Sequence, residues 1–174
     1  MLKLRKNKKG FTLVELIVVI AIMAVLAGTV AGVTVSQLNK QTNNSGATQA
    51  KLIADYVVQE IGANLDEITD TVTKTTGTPP DTTEELVTVF KADGDSFVIL
   101  DNIEANMKND KFAYIKGSSG NDEKGKIRIE VIASDTSSEA SKTIMDTVKI
   151  TYIAKGNGTN TVYTVTADGV LTNG

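Results

Sequence analysis

A chain of 174 residues holds one domain and an appendage rather than two full domains. It contains no cysteine and no histidine, which excludes disulfides, zinc sites of the His/Cys kind, and Ser-His-Asp or Cys-His catalytic groups. Charge is nearly balanced at 18 basic and 21 acidic side chains, yet five of the basic ones fall in the first nine residues. Without residues 1–10 the net charge is −8, which offers no broad cationic face to nucleic-acid phosphates.

The N-terminus begins with Lys3, Arg5, Lys6, Lys8 and Lys9, followed by Gly10. Phe11 to Val35 then reads FTLVELIVVIAIMAVLAGTVAGVTV, with Glu15 as its single charge. As a helix this run spans roughly 37 Å, enough to cross a hydrocarbon core of about 30 Å. Basic residues precede it and the next one is Lys40, so the N-terminus is expected in the cytoplasm and the body outside. A secretory signal has an apolar stretch of about 7–15 residues before a small-residue cleavage motif. Val25-Leu26-Ala27 and Thr29-Val30-Ala31 fit such a motif loosely, but the apolar run continues past both. Length alone leaves a plain signal-anchor open.

Glu15 is informative because a carboxylate in a spanning helix is costly, about 2.5–3.5 kcal/mol at the bilayer centre and less near the interface. Four residues past Phe11, it lies about 6 Å along the helix, at shallow depth. One account is local: Thr12-Leu13-Val14-Glu15 matches a capping box, with Phe11 and Leu16 as its hydrophobic staple. That account leaves the Gly10-Phe11 junction and the basic leader unexplained.

Lys9-Gly10-Phe11-Thr12-Leu13-Val14-Glu15-Leu16 resembles the class III signal of type IV prepilins and pseudopilins. The resemblance covers about 30 N-terminal residues. It implies cleavage between Gly10 and Phe11 by a prepilin peptidase, methylation of the new N-terminal Phe11, and an assembly role for Phe11 and Glu15. In that scheme the Glu15 carboxylate of one subunit neutralises the terminal amine of its neighbour, an attraction much stronger in low dielectric than in water. The implied partners are identical subunits, the prepilin peptidase/methyltransferase, the assembly platform with its minor pilins, and the membrane before assembly. No cofactor is implied.

A helix apolar on every side must be buried in lipid or among other helices. Head-to-tail contacts that do not close give an open helical filament. Gly28-x-x-x-Gly32 fits a small-xxx-small packing motif, although membrane helices are richer in glycine in any case. Related pilins often carry a proline two-thirds along this helix; here Gly32 stands in that neighbourhood.

Residues 36–49 are polar and predict a helix continuation or a bend. The globular domain is expected over 50–174. Ile53, Val57, Ile61, Leu65 and Ile68, widened by Leu52 and Tyr56, predict an amphipathic helix over about 50–68 lying on a sheet. Asp55, Gln59, Glu60 and Asn64 are expected toward water. A threonine-rich loop over 69–85 and an antiparallel sheet over 86–174 follow. Leu86–Phe90 and Phe97–Leu100 flank Asp93-Gly94-Asp95 as a hairpin. A short helix is predicted near Ile103–Asn109 and a strand at Phe112–Lys116. Ile127–Val131, Val148–Tyr152, Thr161–Thr166 and Val170-Leu171, separated by glycine turns, predict an antiparallel meander. The fold class is therefore α+β, in the arrangement that the resemblance implies.

Asp93, Asp95 and Asn121-Asp122-Glu123 offer oxygen atoms without matching a calcium loop, and no metal site is expected. Asn43-Asn44-Ser45 and Asn157-Gly158-Thr159 match the glycosylation pattern, which is common by chance. The missing disulfide departs from the pilins of Gram-negative bacteria and resembles those of Gram-positive, clostridial type. The leading reading is a major pilin, for adhesion, biofilm formation or twitching motility. The alternatives are a pseudopilin of a secretion or DNA-uptake system, and a secreted or anchored enzyme, for which no catalytic spacing stands out.

Overall fold

The computed structural model describes residues 10–78, 80–107, 114–116, 123–134 and 144–174. They form an α+β fold with two helices and nine strands among the described residues. The chain divides into two compact units, residues 1–39 and 40–174.

Helix α1 (Leu13–Ile68) supplies the first unit and enters the second. Its N-terminal part exposes large apolar side chains on all sides, from Leu13 (75%) through Val25 (68%) to Leu38 (56%). Residues 36–49, read as a continuation or a bend, are helical throughout; the one non-helical dihedral pair in α1 is at Asn64 (φ −132°, ψ 35°).

In the second unit, Ala50, Ile53, Ala54, Val57 and Ile61 of α1 are buried. Their spacing of three and four residues aligns them on one helix face. Each large aliphatic among them gains about 1.5–3 kcal/mol on full burial. Leu65 and Leu52, expected in this stripe, are 45% and 53% exposed. For Leu65 the cause is the break at Asn64, which ends the helical phase; Ile68 then returns to the core. For Leu52 the adjacent Ala50 and Ala54 take the buried face instead. Glu60 and Asn64, expected in water, are half-buried and joined: Asn64 Nδ2 donates to Glu60 Oε1 at 3.0 Å.

The region expected as a threonine-rich loop is instead a long hairpin. Strands β1 (Thr69–Thr78) and β2 (Asp81–Phe90) pair antiparallel from Thr69↔Phe90 to Thr78↔Asp81. Threonine and valine are β-branched and suit a strand, so the composition that suggested a loop is also strand-forming. The expected partnership of Leu86–Phe90 with Phe97–Leu100 is therefore wrong, since Leu86 faces Thr73 and Phe90 faces Thr69. Asp93-Gly94-Asp95 does turn the chain, with Gly94 at φ +56°, but between two-residue strands β3 (Ala92–Asp93) and β4 (Ser96–Phe97). Val98 to Leu100 are not strand: they open helix α2 (Val98–Met107). The helix expected at 103–109 thus begins at Val98, and 108–109 lie outside the described residues. Ile99, Leu100, Ile103 and Met107 bury one face of α2 in the core.

The main sheet has the order β5-β6-β7-β8-β9, comprising β5 (Tyr114–Lys116), β6 (Ile127–Ile132), β7 (Thr147–Tyr152), β8 (Thr161–Thr166) and β9 (Leu171–Asn173). The last four strands form the expected antiparallel meander. β5 departs from it by pairing parallel to β6. Residues 112–113 of the expected strand lie outside the described residues. Directly opposed residues share a face, so Ile127/Tyr152, Ile129/Ile150 and Val148/Val165 form one apolar layer against α1. Lys91 N donates to Ile68 O at 2.9 Å and Phe90 N to Met145 O at 2.8 Å, which ties the hairpin base to the helix end and the sheet.

Candidate functional site: the N-terminal junction and its helix

Gly10 and Phe11 precede α1 in exposed chain that belongs to no helix or strand, with Phe11 85% exposed. Thr12 is the N-cap. Glu15 N donates to Thr12 Oγ1 at 3.2 Å, while Thr12 N and Thr12 Oγ1 donate to Glu15 Oε2 at 2.8 and 3.0 Å. This reciprocal pattern satisfies two amides that a helix start otherwise leaves without partners. It also places the carboxylate in the first turn, where the helix dipole favours negative charge, and aims it back toward residue 11. The capping account and the assembly account of Glu15 are thus compatible within one chain.

Gly28 and Gly32 lie one turn apart on the exposed part of α1, and a Cβ at either would meet nothing within 4 Å. Nothing among the described residues requires their small size. Thr29 and Thr34, beside them, return their hydroxyls to Leu26 O (2.9 Å) and Val30 O (2.8 Å), so the helix surface presents no unsatisfied hydroxyl here. The 56-residue α1 is long and apolar enough over its N-terminal part to cross a membrane.

A set of residues that sequence reasoning missed sits at the start of the second unit. Asn43 Nδ2 donates to Lys155 O at 3.1 Å, and Asn43 Oδ1 accepts from Lys155 N (2.9 Å) and Tyr152 Oη (3.1 Å). Tyr152 Oη also lies 3.3 Å from Thr42 O. Gly46 faces the Tyr152 ring so closely that a Cβ would collide with it, and Gly158 sits against Asn43 Nδ2 in the same way. The polar stretch that looked like a point of weakness is therefore fastened to the sheet. Asn43 matched the glycosylation pattern, but its amide nitrogen is committed to Lys155. The readable signal was a glycine in mid-helix among polar residues, which marks close approach of another element.

No group of three or more His, Cys, Asp or Glu side chains is placed to hold a metal among the described residues; Asn121 and Asp122 lie outside them.

The family described as "Prokaryotic N-terminal methylation motif" matches residues 5–31. The matched segment contains the Gly10-Phe11 junction, the capping box and Gly28, and ends one residue before Gly32. This prepilin-type leader supports a type IV pilin- or pseudopilin-like protein with a membrane-anchored precursor. No curated protein and no solved structure matches the chain.

Proposed function

We propose that the chain is the major structural subunit of a type IV pilus, of the disulfide-free kind that Gram-positive bacteria carry. The observation that carries this reading is the coincidence of the methylation motif over 5–31 with an apolar helix surface that is exposed among the described residues. Lipid covers that surface in the precursor, and identical helices cover it after extraction. Cleavage between Gly10 and Phe11 removes the basic leader that anchors the N-terminus in the cytoplasm, and it creates an amine at Phe11, which is then methylated. That amine, unfavourable in hydrocarbon, finds its counter-charge in Glu15 of a neighbouring subunit and sets the axial register. Gly28 and Gly32, which no contact among the described residues requires, leave room for a neighbouring helix backbone.

The partners in this scheme are copies of the chain, the prepilin peptidase/methyltransferase, and the assembly platform with its minor pilins. The assembled filament is extracellular and serves adhesion, biofilm formation or twitching motility. The test is recovery of the chain in filaments sheared from the cell surface. Glu15→Val leaves membrane insertion intact and abolishes that recovery. Normal filament yield from Glu15→Val contradicts the mechanism, and confinement of the unaltered chain to the envelope favours a pseudopilin.

A further inference from the structure

Three exposed lysines lie on segments joined around Asn43 at the start of the second unit. Lys40 is the first residue of that unit and lies three positions before Asn43, on the same helix face. Lys155 is held there by its main-chain pairing with the Asn43 amide. The Lys155 side chain lies across Gly125, whose φ of +87° and missing Cβ make room for it, and Lys124 adjoins that glycine. Gly125 N donates to Ile153 O at 2.6 Å and Ile153 N to Lys126 O at 2.9 Å, so the 123–126 turn and the 153–155 segment are tied together.

The charge of this end is opposite to that of the body. From Leu16 to Ala54 the sequence has no acidic residue, and 153–160 has none either. Glu123, the acid in the described part of the turn, is ion-paired with Lys126. Lys40, Lys124 and Lys155 are all exposed. Everything beyond residue 10 nevertheless carries a net charge of −8. Lys40 follows the last residue of the apolar run by five positions, roughly 7.5 Å of helix, which is headgroup depth for a helix whose apolar part fills the hydrocarbon.

We propose that Lys40, Lys124 and Lys155 form a cationic collar that binds the phosphates of anionic phospholipid headgroups while the chain is held in the membrane. The inference rests on the membrane-spanning reading of residues 11–35. Continuity with the apolar helix and the reversal of charge at this end identify the occupant as lipid. The acidic remainder of the body is repelled by the same anionic surface. Asn43 is the positioning residue that keeps Lys155 in the collar.

The experiment uses the full chain in nanodiscs of zwitterionic phosphatidylcholine alone or with phosphatidylglycerol. Reactivity toward a water-soluble amine acylating reagent is read lysine by lysine by mass spectrometry. Lys91 is the internal reference: its Nζ donates to Asp66 O at 3.1 Å, roughly 35 Å along α1 from Asn43. Acylation at Lys40, Lys124 and Lys155 is expected to slow at least about threefold in the anionic discs and to recover in high salt, with Lys91 unchanged. Equal rates in the two lipids, in chains that co-purify with the discs, overturn the collar. So does protection that follows the number of chains per disc instead of lipid charge, which would assign these lysines to another copy. Failure of the chain to enter either disc counts against the spanning reading itself, and protection retained against free inorganic phosphate separates headgroups from the soluble ion.

Discussion

The side-chain amide of Asn43 pairs with the main chain of Lys155 at two points, 3.1 Å through its nitrogen and 2.9 Å through its oxygen, as one strand pairs with another. A residue of the polar helix thereby closes the open end of a loop 112 positions away in sequence. The pairing fastens α1 within the stretch 36–49, where composition left a continuation or a bend open.

Asn43→Ala removes these two bonds and the one from Tyr152 Oη at 3.1 Å. At about 0.5–1.5 kcal/mol net for each bond, the expected loss is about 2–3 kcal/mol. Urea unfolding of the detergent-solubilised chain, followed by circular dichroism, measures it. A loss below about 0.5 kcal/mol places the fastening elsewhere.

Two helix glycines give opposite predictions for the same substitution. Gly46→Ala drives a methyl into the Tyr152 ring, so overpacking of about 1–3 kcal/mol outweighs the roughly 0.8–1.0 kcal/mol that alanine gains in a helix. Gly62→Ala meets nothing within 4 Å and is expected to stabilise by roughly 0.5–1 kcal/mol. Midpoints of thermal unfolding that shift in the same direction for both variants contradict the geometry.

Alkaline pH weakens the second unit through its tyrosines. Burial pushes the Tyr152 hydroxyl above the usual phenol range, and burial followed by the nearby Glu60 charge does the same for Tyr56. The folded state therefore holds these protons when the unfolded chain releases them near pH 10. Stability is unaffected below about pH 10 and falls as pH rises through the folded values. The denaturation midpoint is expected to drop as pH rises above about 10, and to drop less in Tyr56→Phe. Tyr56 Oη accepts from Asn106 Nδ2 at 2.7 Å, so the pH dependence rather than the absolute midpoint is the quantity to compare.

Replacing Gly10 with leucine is expected to block removal of the basic leader, because the proposed cut follows a small residue and leucine is bulky. Intact-mass measurement of the membrane fraction shows the retained leader. Efficient cleavage of the Gly10→Leu chain contradicts the assignment of the cut.

The sequence made different parts of this molecule legible to different degrees. The capping box at Thr12 and Glu15 was readable because its bonds are made within one helical turn. The meander of β6 to β9 was readable because Ile127–Ile132 and Thr147–Tyr152 alternate and glycines mark the turns. The hairpin of β1 and β2 was hidden by residues that are both polar and β-branched, so polarity signalled loop where branching favours strand. Val98–Leu100 is a short apolar run, which periodicity cannot assign to strand or helix, and it opens α2. The partner of Asn43 was not readable, because Asn43 and Lys155 look like ordinary surface residues; Gly46 in mid-helix signalled only that another element comes close.

The account turns on the charge created at Phe11 and its place beside Glu15 of another copy. The most direct measurement is the mass of the N-terminal peptide of the chain purified from sheared surface filaments. The predicted result is a peptide that begins at Phe11 and carries one methyl group on its amine. A filament chain that retains Lys3 to Lys9, or one that begins inside the apolar run at Gly28 or Gly32, contradicts it.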